Sequence, residues 1–477
     1  MFTLLDEFLA GSPAGGAQPA PRSARVMRTK PRTIAIVAAL LVLSGLDSFS
    51  QAVQAASTTS APDAVQAPGT PQGTQSGTRS TNEYSPPPGL YEKAVAYSSA
   101  HYRHLAISSL WAMAVPLLIL RWRLAPRYRD WAERVSSRRL VQVLLYAPPL
   151  VLTLALMSLP FDLWDHSLER SFGLSVQGWT SWFGDWMTEQ VIAVILGTLL
   201  IWILYGVIRR SPRRWWFYFW LAAMPVVLAV FFAQPLVIDP LFFKFTPLAT
   251  SQPMLVTKLE QVVHRGGMEI PPERMFEMNA STKLTGLNAY VTGFGASKRA
   301  VIWDTTLAKA TTPEVLFVFG HEMGHYVLHH IPKEITIDAL LLLGLLYVGY
   351  RVSIWMIRRW GTSWGIRGVE DWASLPVLIF VLTTLAVLAT PAFNAISRHF
   401  EHEADRYGLE VVHGVIANPG QVAATFFEKS GEINLADPNP STWVKIWFFD
   451  HPTRPERVRF AATYDPWQKG NGPKYVK

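Results

Sequence analysis

Six blocks of predominantly apolar residues limit the possible folds of this chain more than any other feature. A membrane-spanning helix needs about 20 such residues, and each block approaches or reaches that length. They run from Leu105 to Leu120, Leu140 to Leu159, Val191 to Ile208, Trp216 to Val237, Ile335 to Ile357, and Leu375 to Ile396. We therefore predict a mainly α-helical, polytopic membrane protein with about six transmembrane helices.

A shorter apolar run near the N-terminus has the pattern of a targeting segment. Basic residues precede the run from Thr33 to Leu46, and the small residues Val53 to Ala55 follow it at the spacing of a signal-peptidase site. This pattern predicts a secretory signal peptide whose translation could start at Met27. An uncleaved membrane anchor accounts for the same run equally well.

Charge and cysteine content narrow the class of protein. The chain has 43 Lys and Arg against 35 Asp and Glu, a net charge of +8, and no cysteine. Because the arginines cluster beside the apolar blocks, we assign the basic balance to membrane loops and expect a lipid bilayer, and no nucleic acid, as partner. Disulfides and cysteine-bound zinc are excluded, so any zinc must be held by histidine and carboxylate.

Between and after the apolar blocks lie two polar stretches that hold nearly all the candidate chemistry. The predicted segments are a signal-like N-terminus (1–56), a disordered or extramembrane linker (57–100), a four-helix transmembrane region (101–238), a catalytic segment (239–334), two transmembrane helices (335–396) and a second catalytic segment (397–477).

The first polar stretch contains the motif His-Glu-x-x-His, here HEMGH. On a helix, His321 and His325 lie one turn apart and can bind one Zn²⁺ together. Glu322 would then accept a proton from a zinc-activated water. A carboxylate in so apolar a helix is costly without a partner, and Gly320 and Gly324 indicate that another element approaches closely. We therefore prefer the metal site to a pair of surface histidines.

A third zinc ligand should come from another element, and the polar end of the sixth block offers one. Glu401 and Asp405 are four residues apart and share a helix face. We predict that Glu401 binds the zinc and that Asp405 orients a ligating histidine. Glu403 points elsewhere and is interpreted as a solvated charge. His399 and His402 remain rival ligands, although each alone is more often structural.

Five separated motifs, in the same order, resemble the CAAX prenyl proteases of type I, which are integral-membrane zinc endopeptidases related to bacterial stress proteases. The motifs are LPFDLWDHSLERSFGLS (159–175), VIDPLFFKFTPL (237–248), HEMGHYVLHH (321–330), SRHFEHEAD (397–405) and DHPTRPER (450–457). The resemblance spans about residues 140–465 and identifies the chain as similar to a bacterial member.

The resemblance implies a role for individual residues of the metal site. His321 and His325 match the zinc ligands, Glu322 the catalytic glutamate, and Glu401 the third ligand. His329 also matches a family position, where helix packing is the safer interpretation.

It also implies how substrate is held. His451 and Arg457 match groups placed to stabilise the tetrahedral oxyanion. Asn288, Ala289 and Tyr290 match an edge segment that pairs with the substrate backbone as an added strand. They begin a stretch, Leu287 to Leu307, whose β-branched residues and Gly-rich turn at 293–297 predict a β-hairpin within a zincin-like catalytic domain.

Together these features predict a membrane-embedded zinc metalloendopeptidase, CAAX-protease-like, with one Zn²⁺ per chain. It would cleave peptide or protein substrates, including membrane-anchored ones. An alternative with the same chemistry is quality control of damaged membrane proteins. A remote alternative is a non-enzymatic transporter, because Asp338 and Arg351 lie within apolar blocks.

The charges in the loops predict the orientation of a multi-pass cell-membrane protein. The loops after the first, third and fifth blocks hold seven arginines (121–139), four (209–214) and three (358–367). The loop at 161–189, on the other side, holds five acidic residues and one arginine. Positive-inside logic places the active site on the extracytoplasmic face, periplasmic in a bacterium. The resemblance points the other way, because eukaryotic members act on the cytosolic or nucleoplasmic side.

Overall fold

The computed structural model describes residues 84–293, 298–468, 470 and 472–476. The signal-like segment, most of the linker (57–83) and four residues of the Gly-rich turn (294–297) lie outside these ranges. The first half of the described chain is helical: α1 (Pro88–Arg121), α2 (Leu124–Val135), α3 (Arg139–Ser171), α4 (Trp179–Arg210) and α5 (Trp215–Ala233). Further helical turns extend α5, giving a candidate span of Trp215–Leu241.

Helix α1 begins at Pro88, well before the start of the predicted transmembrane region at residue 101. The apolar block begins only at Leu105, because the preceding turns include Glu92, Lys93 and Arg103. These first turns of α1 are packed: Ala94 and Tyr97 are buried against Leu168, Leu174 and Leu435. The helix therefore extends beyond its apolar block, through residues that the sequence assigns to a linker.

A small sheet follows the fourth span, with short helices around it. In chain order the elements are β1 (Phe245–Pro247), α6 (Leu248–Ser251), α7 (Pro253–Arg265), β2 (Met275–Met278), β3 (Ala289–Thr292), β4 (Arg299–Trp303) and α8 (Asp304–Lys309). The strand order is β1-β2-β4-β3, with β2 parallel to β4 and the other pairs antiparallel. The predicted hairpin is confirmed as β3 and β4, and β3 is the edge strand of this sheet.

The second half of the chain returns to long helices. They are α9 (Thr312–Val327), α10 (His330–Trp364), α11 (Leu375–Val412), α12 (Pro419–Ile433), α13 (Thr442–Phe448) and α14 (Arg454–Thr463). With α10 and α11, the described residues contain six helices long and apolar enough to cross a membrane, which confirms the predicted number. As expected, α11 continues without a break from the sixth apolar block into the polar stretch that carries Glu401.

The two largest of the buried cores hold most of these elements together. The spanning helices pack around Tyr146, Tyr205 and Trp372, and the Tyr146 hydroxyl donates to the Trp372 carbonyl at 2.6 Å. On the outside of this bundle large apolar side chains are exposed, among them Leu110 and Leu388, each 63% exposed. Such a surface suits lipid rather than water. The second core joins α7, α9, α12 and the sheet.

The three arginine-rich loops meet at one end of the bundle. Arg129, in α2, contacts Asp371 at 2.5 Å, and Arg209, at the end of α4, lies 4.0 Å from the centre of the Trp372 ring. The catalytic segment contacts the loop at the other end of α3, where Ser175 pairs with Leu284 in a β-bridge. The sheet and the arginine-rich loops therefore lie at opposite ends of α3.

Candidate active site

The helix that carries HEMGH is fixed at its start. Thr311 and Glu314 form a reciprocal capping box, and Lys429 of α12 contacts the Glu314 carboxylate at 2.6 Å. Helix α9 is buried along most of its length, between the sheet, α7, α11 and α12. The position of α9 is therefore set by contacts with both predicted catalytic segments, 239–334 and 397–477.

Glycines allow α9 and α11 to approach each other closely. A Cβ atom at Gly324 would lie 3.2 Å from the Ala404 Cα, and one at Gly408 would lie 3.0 Å from the backbone nitrogen of His321. Contacts that short are tighter than most, so a side chain at Gly324 or Gly408 would push the two helices apart. Gly320 and Gly324 predicted the close approach of another element, and that element is α11. The approach brings the carboxylates of Glu401 and Asp405 to His321 and His325.

His321, His325 and Glu401 converge on one point. Their ligand atoms are separated by 3.4 Å between the two Nε2 atoms, 3.3 Å from His321 Nε2 to Glu401 Oε2, and 3.4 Å from His325 Nε2 to Glu401 Oε1. Ligands of a tetrahedral ion with bonds of about 2.0–2.1 Å are separated by about 3.3–3.4 Å. The donor set and the spacing therefore both fit a zinc ion.

Asp405 lies on the far side of the His321 ring. Its Oδ1 is 2.9 Å from His321 Nδ1, and its Oδ2 accepts a hydrogen bond from Nε of Arg457 at 2.9 Å. Burial lowers the pKa of His321, but hydrogen bonds to Asp405 and Glu401 outweigh it and raise that pKa to about 10. The two carboxylates thus make this a strongly cation-attracting site, as expected of one built for a metal.

Glu322 is half-buried beside these ligands. Burial, followed by the charge of Glu401, raises its pKa to about 7, against the opposing effects of His321, His451 and Arg457. A carboxyl group that titrates near neutrality can both accept and return a proton at working pH. The environment is therefore suited to a general base.

The segment before and into α14 completes the cluster. His451 Nε2 is 3.2 Å from Glu401 Oε2, and His451 Nδ1 is 2.8 Å from Asp450 Oδ1. Burial lowers the pKa of His451, but the carboxylates of Glu401 and Asp450 reverse the effect and raise it. Arg457 reaches to 4.0 Å from Glu401. Both predicted residues thus present positive charge at the predicted metal ligand Glu401.

Asn288, Ala289 and Tyr290 lie at the edge of the sheet that packs against α9. The Asn288 carbonyl accepts hydrogen bonds from the backbone nitrogen of Trp303 and from the Thr306 hydroxyl. These two hydrogen bonds fix the start of β3. At the other end of the strand, the Tyr326 hydroxyl donates to the Gly293 carbonyl at 2.8 Å and links the edge strand to α9.

His330 contacts the site although the sequence did not single it out. It is fully buried at the start of α10, with Nδ1 3.4 Å from His325 Nδ1 and Nε2 3.4 Å from Glu403 Oε2. His330 is five residues after His325, a spacing that does not share a helix face. It reaches the site because His329 adopts a positive φ of 56° after the end of the preceding helix. Pro332, in the first turn of α10, is the sequence signal for this break.

The interpretation of Glu403 as a solvated charge is wrong. Its carboxylate accepts a hydrogen bond from the Tyr475 hydroxyl at 2.6 Å and contacts Lys474 Nζ at 3.1 Å, so the C-terminal residues cover it. His399 and His402, the rival ligands, are not part of the cluster of His321, His325 and Glu401 in the described residues. His399 is 69% exposed, and His402 packs against the Phe460 ring.

The chain is similar to two described sequence families. One is "Peptidase family M48", matched over residues 249–465, and the other is "CAAX prenyl protease N-terminal, five membrane helices", matched over residues 84–244. In this chain the second range holds four candidate spans and the short helix α2.

Individual relatives cover most of the chain. It is 34% identical over 335 residues to an uncharacterized metalloprotease, YhfN, from Bacillus subtilis, covering 70% of this chain and 76% of that protein. It is 25% identical to a CAAX prenyl protease 1 homolog from Oryza sativa, covering 77% and 86% respectively. The crystal structure of S. mikatae Ste24p has the same fold, with a TM-score of 0.69 at 22% identity, covering 91% of this chain and 100% of that one.

Proposed function

The chain belongs to peptidase family M48 and is a membrane metalloendopeptidase, and on this basis we propose that zinc is its metal and that His321, His325 and Glu401 bind it. The observation that carries this proposal is the triangle of ligand atoms, whose three sides of 3.3–3.4 Å match a tetrahedral zinc ion. When bound, zinc would supply Lewis acidity that polarises the peptide carbonyl and acidifies water.

Glu322 is the proposed general base and then the general acid. Its carboxylate takes a proton from the attacking water and returns it to the leaving amine. The raised pKa of about 7 supports both steps, because the protonated and ionised forms are then both accessible near neutral pH.

His451 and Arg457 are the proposed donors to the oxyanion that forms on the scissile carbonyl. Both carry raised pKa values, and Asp405 holds the Arg457 guanidinium through two hydrogen bonds. Donors fixed before the reaction need little reorganisation as negative charge develops.

The substrate backbone is proposed to pair with β3 as an additional strand. Support comes from the position of Ala289 and Tyr290 on the edge strand and from the link between Gly293 and the HEMGH helix. Main-chain pairing of this kind supplies affinity without requiring a particular substrate sequence.

We further propose that the site faces away from the cytoplasm and that the substrates are membrane-anchored proteins. The arginine-rich loops and the catalytic segment lie at opposite ends of α3, and basic loops favour the cytoplasmic side. An extracytoplasmic site would meet the exported parts of membrane proteins.

Reconstituted full-length protein tests this function directly. The protein is placed in proteoliposomes with a membrane-anchored peptide reporter, and the products are identified by mass spectrometry. Cleavage that a zinc chelator abolishes and added zinc restores supports the proposal. Cleavage that persists after complete zinc removal would overturn it. Comparing the new N-termini in membranes that contain the active protein or an inactive variant would then identify the substrates and their cleavage sites.

A further inference from the structure

A second cluster of metal-ligating side chains lies between α1 and α3, on residues different from those of the active site. His101 and His104 are three residues apart on α1 and so share a helix face, and Asp165 is on α3. One potential ligand atom of each residue lies within 4.8 Å of the other two. Two imidazoles and a carboxylate are the same kinds of donor that form the HEMGH site.

The orientation of His104 is the one that a metal ligand needs. Its Nε2 is 3.1 Å from the Phe161 carbonyl oxygen. A carbonyl only accepts hydrogen bonds, so Nε2 carries the proton in this contact, and in the neutral ring Nδ1 then has the lone pair. Nδ1 is 3.4 Å from Asp165 Oδ1, the separation expected of two ligands on one tetrahedral ion. Metal-binding histidines usually donate their other ring nitrogen in this way.

The surroundings hold these ligands in place. The His104 side chain is 4% exposed and packs edge-on against the Trp164 ring at 4.9 Å, and the Asp165 side chain is 16% exposed. Burying ionisable side chains is costly unless they are paired or bind a metal. A simple ion pair would require only one imidazole beside Asp165, whereas here two imidazoles converge on it.

We propose that His101, His104 and Asp165 bind a second divalent metal ion of the zinc type, which bridges α1 and α3. The sequence predicts one zinc ion per chain, and this inference raises the number to two. The fourth coordination position would be filled by water. The proposal does not depend on which substrate the protease cleaves.

The metal content of the purified full-length protein tests the proposal. We would measure zinc per chain by plasma mass spectrometry in the parent, in a His321→Ala/His325→Ala variant, in a His101→Ala/His104→Ala/Asp165→Asn variant, and in a variant with all five changes. His264→Ala, which removes an exposed histidine of α7, is the matched control. We expect two zinc ions in the parent and the control, one in each partial variant, and none in the full one.

Two results would overturn the proposal. One is a parent with a single zinc ion that the His321→Ala/His325→Ala variant loses entirely. The other is a folded second-site variant with the parent's zinc content. Either would leave a His104–Asp165 ion pair as the explanation. Retained peptidase activity shows that the second-site variant is folded. If that variant aggregates, the His321→Ala/His325→Ala protein still decides, because it must keep one zinc ion.

Discussion

Nδ1 of His321 lies 2.9 Å from Oδ1 of Asp405, so the carboxylate one helical turn beyond Glu401 holds the ring of the first predicted zinc ligand. The contact makes Nδ1 the donor and leaves Nε2 free to point at the metal position. Because Asp405 also holds Arg457, one buried side chain couples the orientation of a proposed zinc ligand to that of a proposed oxyanion donor.

Asp405→Ala should therefore weaken zinc binding although Asp405 is not a predicted ligand. Loss of such an orienting carboxylate typically lowers metal affinity by roughly 10–100-fold. Zinc affinity is measured by competition with a chelating dye on the folded, purified variant. Glu403→Ala, on the same helix but without a contact to His321 in the described structure, is the control. Equal affinity in the Asp405→Ala and parent proteins would show that the contact does not orient the ligand.

Glu322→Gln should abolish cleavage but retain zinc. The three proposed ligands are unchanged, and only the proton transfer is lost, which is worth about 10²–10⁴-fold in rate. Peptide cleavage and zinc content are measured on the same preparation. A Gln variant that cleaves as fast as the parent would exclude Glu322 as the base, and one that loses zinc would contradict the ligand assignment.

Glu401→Ala should lose zinc from the HEMGH site, whereas Glu403→Ala should not. Glu401 is 3.3–3.4 Å from both histidine nitrogens, while Glu403 points toward the C-terminal residues Lys474 and Tyr475. Zinc content is measured in both variants. Each also carries the His101→Ala/His104→Ala/Asp165→Asn changes, which remove any second ion. Equal zinc in both would remove Glu401 from the site.

The sequence predicted the parts of this molecule that are set by local pattern. Apolar length predicted six spans, and helical phase placed Glu401 and Asp405 on one face of a helix that does continue through them. The family resemblance supplied His451 and Arg457, which the structure brings to the same cluster, although no local spacing could have placed them there.

Features that depend on tertiary packing could not be predicted in this way. The start of α1, before the first apolar block, is packed against α3 and Leu435, which lie far away in the chain. His330 reaches His325 only because the backbone turns at His329, and Glu403 is covered by residues 71 and 72 positions later. For α1 and Glu403 the deciding partner is distant in sequence, whereas for His330 it is the backbone conformation of its neighbour His329.

Glu410→Gln should destabilise the catalytic region. The Glu410 carboxylate is fully buried and accepts hydrogen bonds from the backbone nitrogens of Lys474, Tyr475 and Val476, and from the Tyr464 hydroxyl. A glutamine can accept hydrogen bonds at only one of its two terminal atoms, so some of these donors lose their partner. Each buried donor left without a partner costs about 1–3 kcal/mol of stability. We expect a lower thermal midpoint and faster proteolysis of the C-terminal residues. Exposed Glu273 provides the control Glu273→Gln, and an unchanged midpoint in Glu410→Gln would show that the C-terminal segment is held by other contacts.

Reporter fusions should place the active site outside the cytoplasm. The α2 region and the ends of α4 and α10 carry the arginines, and Arg129–Asp371 and Arg209–Trp372 contacts gather them at one end of the bundle. The catalytic segment follows the fourth span and lies at the other end, so the two must face opposite sides of the membrane if all six candidate helices cross it. Basic loops resist export, which puts the arginine-rich end inside.

Alkaline phosphatase, which is active only when exported, should therefore be active when fused after residue 250 and inactive when fused after residue 130. A cytoplasmic reporter fused at the same positions should give the complementary pattern. Activity after residue 130 and none after residue 250 would invert the topology and place the protease site in the cytoplasm.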